Sequence, residues 1–414
     1  MIVLGVWVRH PDGAIGRAGD LACTDPDAHV RFEAEFEYAA EWLADRRSFA
    51  LDPESLPTRD RSRPLRFRAE NLHPPLSVFE DALPDDWGRR LLVLDRRLPR
   101  AQQGLPYLLR ELGADGLGAL AFADRGLPAS RRSAAAAIHL DALVDAAARL
   151  EAGEPVEPAA LPRLLDAGSS PGGARPKALV DTDDGHWIAK FSSRNRDGRF
   201  DVVGLEATAL ALARDAGLEV PETRLLDLQG GHRTLLVRRF DMTPQGGRRH
   251  MVSLKTLCKE RPGVYVLSYD ELASAVRKHS AAPRVDVEAL IRHAVFNVAI
   301  GNTDDHLKTF WMLHDERGWR LAPAFDLVPD VAERREHVLR FHLDQRTPSP
   351  AEVGAVAKSW GVRNGAAIAQ EVIDAVRGFP IVAARCRVPA ANIAEIGRDI
   401  EGRLATLAGA LSDR

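Results

Sequence analysis

The stretch His293–Trp311, HAVFNVAIGNTDDHLKTFW, together with Leu321–Pro329, LAPAFDLVP, decides how this chain is read. An apolar helical run ends at Gly301. Two adjacent carboxylates follow, Asp304 and Asp305, then His306 and Lys308. After a hairpin-length gap comes Asp326 in an apolar setting. Phosphoryl transfer needs this inventory: one acid orients the attacking hydroxyl, another holds Mg²⁺, and cations offset phosphate charge. The pattern predicts Asp304 as base, Asp326 as metal ligand and Lys308 as a charge partner for the transferred phosphate. In a protein-kinase catalytic loop the metal-binding Asn lies five positions after the base. Here that position is Thr309, whose hydroxyl can also ligate Mg²⁺.

Upstream segments fall in the matching order. Gly168–Lys177, GSSPGGARPK, is Gly-rich, and successive N–H groups in such a loop, around Gly172 and Gly173, form an anion-binding nest. It does not match the P-loop pattern. Lys190, in the strand HWIAKF one hairpin later, is placed as the lysine that meets nucleotide phosphates. Glu206, in the following helix, is its candidate orienting partner. The strand end RRFD, Arg238–Asp241, is placed beside adenine, with Arg239 and Phe240 as contacts. Each segment also has a plainer explanation: an ordinary turn, a surface lysine, a solvated glutamate, a strand end, a capping turn at NTDDH. The order of the segments favours the kinase reading over these.

Bulk properties set the bounds. With 414 residues the chain is long enough for two or more cores. The 56 basic and 59 acidic residues leave a net charge of −3, no footprint for nucleic acid. Arginine groups such as Arg96, Arg97 and Arg100 have acids interspersed. Cys23, Cys258 and Cys386 are scattered, which indicates neither a disulfide framework nor a zinc site. The opening MIVLGVWVRHPDG turns polar too soon for a signal peptide, and no apolar run is long enough for a membrane span. The expectation is a reducing cytoplasm and no membrane partner.

Alternating IVLGVWV predicts a β-rich start, and Phe32–Trp42 a strand entering a short helix. An amphipathic helix is expected from Pro84–Asp86, capped by Asp85 or Asp86, with Trp87, Leu91, Leu92 and Leu94 inward. The alanine-rich run Ala134–Leu150 predicts a further helix. EAGEPVEPAALP, with three prolines, is the best linker, so a domain boundary is placed near 155: 1–155 and 156–414. Beyond it, strand pairs precede helices, the pattern of an α+β fold.

Taken together, the motifs resemble the HipA family, kinase toxins of bacterial type II toxin–antitoxin modules. The resemblance rests on SSPGGARPK, IAKF, RFD, IGNTDDHLK and APAFDLVP. In the first half, FEYAAEWL, SFALDP and HPPLSVFEDALPDDWGRRLL are similar to the family's N-terminal domain. The resemblance implies an α+β, two-lobed kinase-like C-terminal part behind a β-rich N-terminal domain. It implies a Ser/Thr protein kinase using ATP and Mg²⁺, with Asp304 catalytic, Asp326 metal-binding and Lys190 ATP-binding. Ser170, with Ser169 adjacent, matches the serine that is autophosphorylated to switch the kinase off. It also implies a HipB-like helix-turn-helix antitoxin, contact with DNA mainly through it, and a protein substrate such as an aminoacyl-tRNA synthetase. Two positions depart from the family pattern: Thr309 replaces Asn, and Arg238 stands where an acid often precedes RFD. Two other readings are an aminoglycoside-phosphotransferase-like enzyme, against which the N-terminal motifs argue, and a weakened kinase acting as nucleotide-binding corepressor with its antitoxin.

Overall fold

The computed structural model describes residues 1–27, 29–59, 64–124, 126–128, 140–156, 164, 175–193, 197–265, 268–331, 336–341 and 344–409. They form two compact units, neither contiguous in the chain. The first comprises Met1–Ala189, Arg239–Tyr265 and Trp311–Trp319; the second comprises Lys190–Arg238, Val266–Phe310 and Arg320–Arg414.

The first unit is built on β1 (Ile2–Arg9), β2 (Ile15–Cys23), β3 (Glu33–Tyr38), β4 (Arg66–Glu70) and β5 (Leu120–Ala123), in the order β4-β3-β2-β1-β5. Alternation sets its faces: Ile2, Leu4, Val6 and Val8 are buried, while Val3 is exposed. The register of β1 against β2 shifts at Val6/Trp7. Phe36 of β3 meets Phe79 of the helix Ser77–Asp81, ring centroids 4.9 Å apart, closing the core on that face.

The helix Asp86–Asp95 begins as expected, with Asp85 accepting from the Gly88 N–H at 3.0 Å. Trp87, Leu91 and Leu92 are buried, but Leu94 is 38% exposed, because it lies off the apolar stripe. Asp85 also takes an ion pair from Lys177, the first residue of β6 (Lys177–Thr182), and both side chains are buried. The Trp87 indole N–H donates to the Lys177 carbonyl at 3.2 Å. Of the alanine-rich run, Leu140–Glu151 is helical within the described residues.

β7 (Gly185–Phe191) follows β6 through a two-residue turn and brings the chain to Lys190. In the second unit the helix Val202–Asp215 is capped by Asp201 and stops at Gly217, φ +80°. β8 (Thr223–Asp227) and β9 (Arg233–Arg238) then pair antiparallel. Back in the first unit, β10 (His250–Ser253) pairs with β11 (Trp311–Asp315), a pairing no sequence pattern had suggested. β12 (Gly318–Leu321) completes the hairpin begun by β11.

The other long elements described in the second unit are helices. Its centre is the helix Pro283–Ile300, packed against the helices Tyr269–His279, Gly365–Val376 and Ala390–Leu407. Every residue from His293 to Ile300 is buried, because three neighbours cover that half of the helix.

Candidate functional site

The site grows from the end of that central helix. Gly301 ends it in the left-handed region, φ +75°, with the Asn302 N–H reaching back to the Asn297 carbonyl at 2.8 Å. A Cβ at 301 would come within 3.0 Å of Arg403 Nε and 3.1 Å of Asp399 Oδ2. The dihedral favours glycine there, and a side chain would also crowd Arg403 and Asp399.

The next residues separate the two carboxylates. Asp304 is exposed; Asp305 is fully buried. Asp305 Oδ2 accepts from the Tyr269 hydroxyl at 2.7 Å and lies 3.1 Å from His337 Nδ1. Its Oδ1 accepts from the Val338 N–H at 2.8 Å and the Leu339 N–H at 3.3 Å. A carboxylate so surrounded holds structure, whereas Asp304 faces solvent, where a base must be. Sequence reasoning named Asp304 but missed this role of its neighbour.

A single 3-10 turn, Leu307–Thr309, follows and carries Lys308, half-buried. The Thr309 hydroxyl donates to the His306 carbonyl at 2.8 Å, so its proton is spent on the turn while its oxygen lone pairs stay available.

Asp326 arrives on a segment tied at two points. Arg320 makes a two-pronged pair with Asp286, in the first turn of the central helix, and the Leu321 N–H donates to the same carboxylate at 2.9 Å. The Ala324 N–H donates to the Glu219 carbonyl at 2.8 Å. Asp326 itself sits at φ +58°, a left-handed conformation uncommon outside glycine. Such backbone costs of order 1–3 kcal/mol and persists where surrounding structure enforces it.

Lys190 joins Asp326 to Glu206. Its ammonium donates to Asp326 Oδ1 at 2.7 Å and to Glu206 Oε1 at 2.5 Å, with Glu206 buried in the helix Val202–Asp215. Burial alone would lower the lysine's pKa; the Asp326 and Glu206 carboxylates outweigh it and raise the pKa above the ordinary value. The ammonium is therefore charged across the physiological range.

Arg239 and Phe240 belong to the first unit. The Arg239 guanidinium is buried and paired with Asp241, and the Arg239 backbone N–H donates to the His186 carbonyl at 2.9 Å. Burial acts to raise the Asp241 pKa, but Arg239 and Arg248, with the Gly118 N–H, bring it below the usual carboxylate value. The Arg239 side chain thus serves this internal cluster. Ser169, Ser170, Gly172 and Gly173 lie outside the described residues.

The oxygen side chains predicted to hold Mg²⁺ are of a chemistry that suits it beside a nucleotide. Asp326, which keeps 28% of its side chain exposed, and Thr309 each offer an oxygen, a hard ligand of the kind Mg²⁺ takes. Among the described residues no cluster of three His, Cys, Asp or Glu side chains could hold a metal unaided. A cation bound by one or two carboxylates plus phosphate oxygens needs none. Among the same residues no helix is long and apolar enough to cross a membrane.

Comparison with known proteins gives the family. The HipA-like C-terminal domain matches residues 169–379, just over half of the chain, and the HipA N-terminal domain matches residues 16–123. Y4mE of Sinorhizobium fredii, a candidate kinase by name, is 31% identical over 136 residues, 31% of this chain and 32% of that one. The Escherichia coli K12 toxin YjjJ is 25% identical over 259 residues, 58% and 55% of the two chains. The chain thus spans about a third to just over half the length of these curated relatives. A chain from the Shewanella oneidensis MR-1 complex of HipA, HipB and operator DNA superposes with a TM-score of 0.70 at 19% identity, covering 97% of each chain. The α+β, HipA-like and kinase-like class expected from the sequence is the class of this fold. By its two matched domains, the chain belongs to the HipA family.

Proposed function

We propose that this chain is an ATP- and Mg²⁺-dependent Ser/Thr protein kinase acting as a toxin. The observation that carries the reading is Lys190, held between Glu206 and Asp326 within hydrogen-bond reach of both. A charged lysine fixed by a helix glutamate and set beside a metal-binding aspartate is the arrangement phosphoryl transfer uses on ATP. In this reading Asp304 accepts the proton of the substrate hydroxyl as the hydroxyl oxygen attacks the γ-phosphorus. Lys308 offsets charge on the transferred group, and Lys190 steadies the phosphates left on ADP. Asp326 and Thr309 would hold Mg²⁺, which when bound neutralises charge developing between the β- and γ-phosphates.

On the family's pattern, the Gly172–Gly173 loop covers the phosphates, Arg239 and Phe240 lie toward the base, and Ser170 or Ser169 is the site of self-phosphorylation. A cytoplasmic protein, on family precedent an aminoacyl-tRNA synthetase, is the target. A HipB-like helix-turn-helix antitoxin restrains the toxin and provides most of the contact with DNA. The proposed boundary near residue 155 divides an N-terminal 1–155 part from a kinase-like 156–414 part; it falls between the two matched spans.

Incubation with γ-labelled ATP and Mg²⁺ tests the reading. Label is expected on Ser170 or Ser169, and it should vanish with Asp304→Asn. Absence of label from the unaltered chain would reject it. One observation favours a second reading, a weakened kinase acting as nucleotide-binding corepressor with a DNA-binding antitoxin. Thr309 replaces an amide, and its hydroxyl is engaged by the His306 carbonyl. Nucleotide-induced stabilisation without labelling would support that reading.

A further inference from the structure

We infer that Asp305 is a positioning residue, which sets Asp304 by fastening its loop to the segment beyond Asp326. The inference rests on the phosphoryl-transfer reading only for its kinetic consequence; the fastening itself is geometric.

Asp304 takes no position from a regular element: it lies in a loop, exposed, between the helix end at Gly301 and one 3-10 turn. The residues on either side of it are held. The Thr303 carbonyl accepts from the Val338 N–H at 3.2 Å, and the Gly301 carbonyl accepts from the Asp330 N–H at 2.8 Å. Asp305 adds the strongest tie, because its buried carboxylate takes the Val338 and Leu339 N–H groups on one oxygen and the Tyr269 hydroxyl on the other. Charge-assisted bonds of this kind are about twice as strong as neutral ones. The loop bearing Asp304 and the chain after Asp326 are thereby joined into one piece.

Two extensions stiffen the joint. The Tyr269 hydroxyl also accepts from Asn297 at 3.1 Å, and Asn297 in turn accepts from Asn302 at 3.0 Å. On the other side His337, whose Nδ1 faces Asp305, has its Nε2 3.2 Å from Arg403 on the helix Ala390–Leu407. Arg403 is the residue a Cβ at Gly301 would strike. The last long helix therefore touches the loop at its first residue directly and at Asp305 through His337. A base displaced by an ångström loses about a hundredfold in rate, so this network bears on turnover while leaving nucleotide contacts alone.

The test uses the full chain with Asp305→Asn, Asp305→Ala and Tyr269→Phe. Self-labelling from γ-labelled ATP gives the maximal rate and the half-saturating ATP concentration. Amide hydrogen exchange follows Val338 and Leu339. The expected order of loss in maximal rate is Tyr269→Phe, then Asp305→Asn, then Asp305→Ala, reaching about a hundredfold, with half-saturating ATP within about twofold. Both amides should exchange faster in the Asp305 variants. Wild-type rates in Asp305→Asn would overturn the inference, as would unchanged protection of Val338 and Leu339. If the unaltered chain does not label at all, the phosphoryl-transfer reading fails, and exchange still decides whether Asp305 fastens the loop. If Asp305→Ala does not fold, Asp305→Asn and Tyr269→Phe carry the decision.

Discussion

Lys190 and Asp326 stand 136 residues apart in sequence and 2.7 Å apart in space, with Glu206 on the other side of the same ammonium. Replacing the lysine with methionine leaves two carboxylates facing a side chain that cannot pair with either. Lys190→Met is expected to reduce self-labelling by at least about a hundredfold and to weaken nucleotide binding. Titration with a fluorescent ATP analogue separates the two effects. Wild-type affinity and labelling in this variant would remove Lys190 from the site.

Asp304 is the exposed member of the acidic pair, so its loss should harm chemistry without harming the fold. Asp304→Asn is expected to reduce phosphoryl transfer by about 10²–10⁴-fold, the range of a positioned base. Its melting temperature should stay within a degree or so of the parent, since exposed substitutions move stability by only about 0.5 kcal/mol.

In the first unit Lys177 and Asp85 form a buried pair. Lys177→Met takes a cation away from a buried carboxylate, so it is expected to destabilise by about 3–5 kcal/mol. The double variant, Lys177→Met with Asp85→Asn, should recover part of that loss, since the carboxylate charge is removed with the cation. Denaturant melts of the four chains give the coupling directly.

Gly301→Ala places a Cβ at φ +75°, against Arg403 and Asp399. The backbone penalty alone is about 1–2 kcal/mol, and the steric contact adds to it. Both the melting temperature and the labelling rate should fall, because the substitution strains the turn that leads into Asp304.

Stability should decline in mild acid. Burial pushes His250 and His293 down to about 3 and His314 to about 4. The unfolded chain binds these protons near pH 6.5 and the folded chain does not, so stability present above that pH is lost as pH falls toward 4. Each group contributes about 1.4 kcal/mol per pH unit within its window. Asp52 opposes the trend: burial pushes it up to about 7, so its cost of folding shrinks as pH falls. Three histidines against one carboxyl leave a net loss. Melting temperatures at pH 7.5 and 5.5 measure it. In His293→Phe, which places a ring beside Phe310, the difference should narrow.

Much of the site was legible because its signals are local. Gly301 ends an apolar run, Asp304 follows it, and Lys190 lies in a short hairpin strand with apolar neighbours. What separates Asp304 from Asp305 was not legible, because the partners that bury Asp305 are Tyr269, 36 residues upstream, and His337, 32 residues downstream. Neither has a spacing that announces it. The same holds for β10, four residues long, whose partner β11 lies beyond the whole central helix. Leu94 was placed inward on type alone, while its position on the helix Asp86–Asp95 turns it to solvent.

The interleaving of the two units also has a consequence for synthesis. The first unit draws its last stretch from Trp311–Trp319, after the ribosome has already released the loop with Asp304. Its β10 has no β11 to pair with until then. A nascent chain shorter than about 319 residues completes neither unit, and no single proteolytic cut separates the two units. The architecture of the first unit is thus complete before the second gains Asp326, which is made after Trp319.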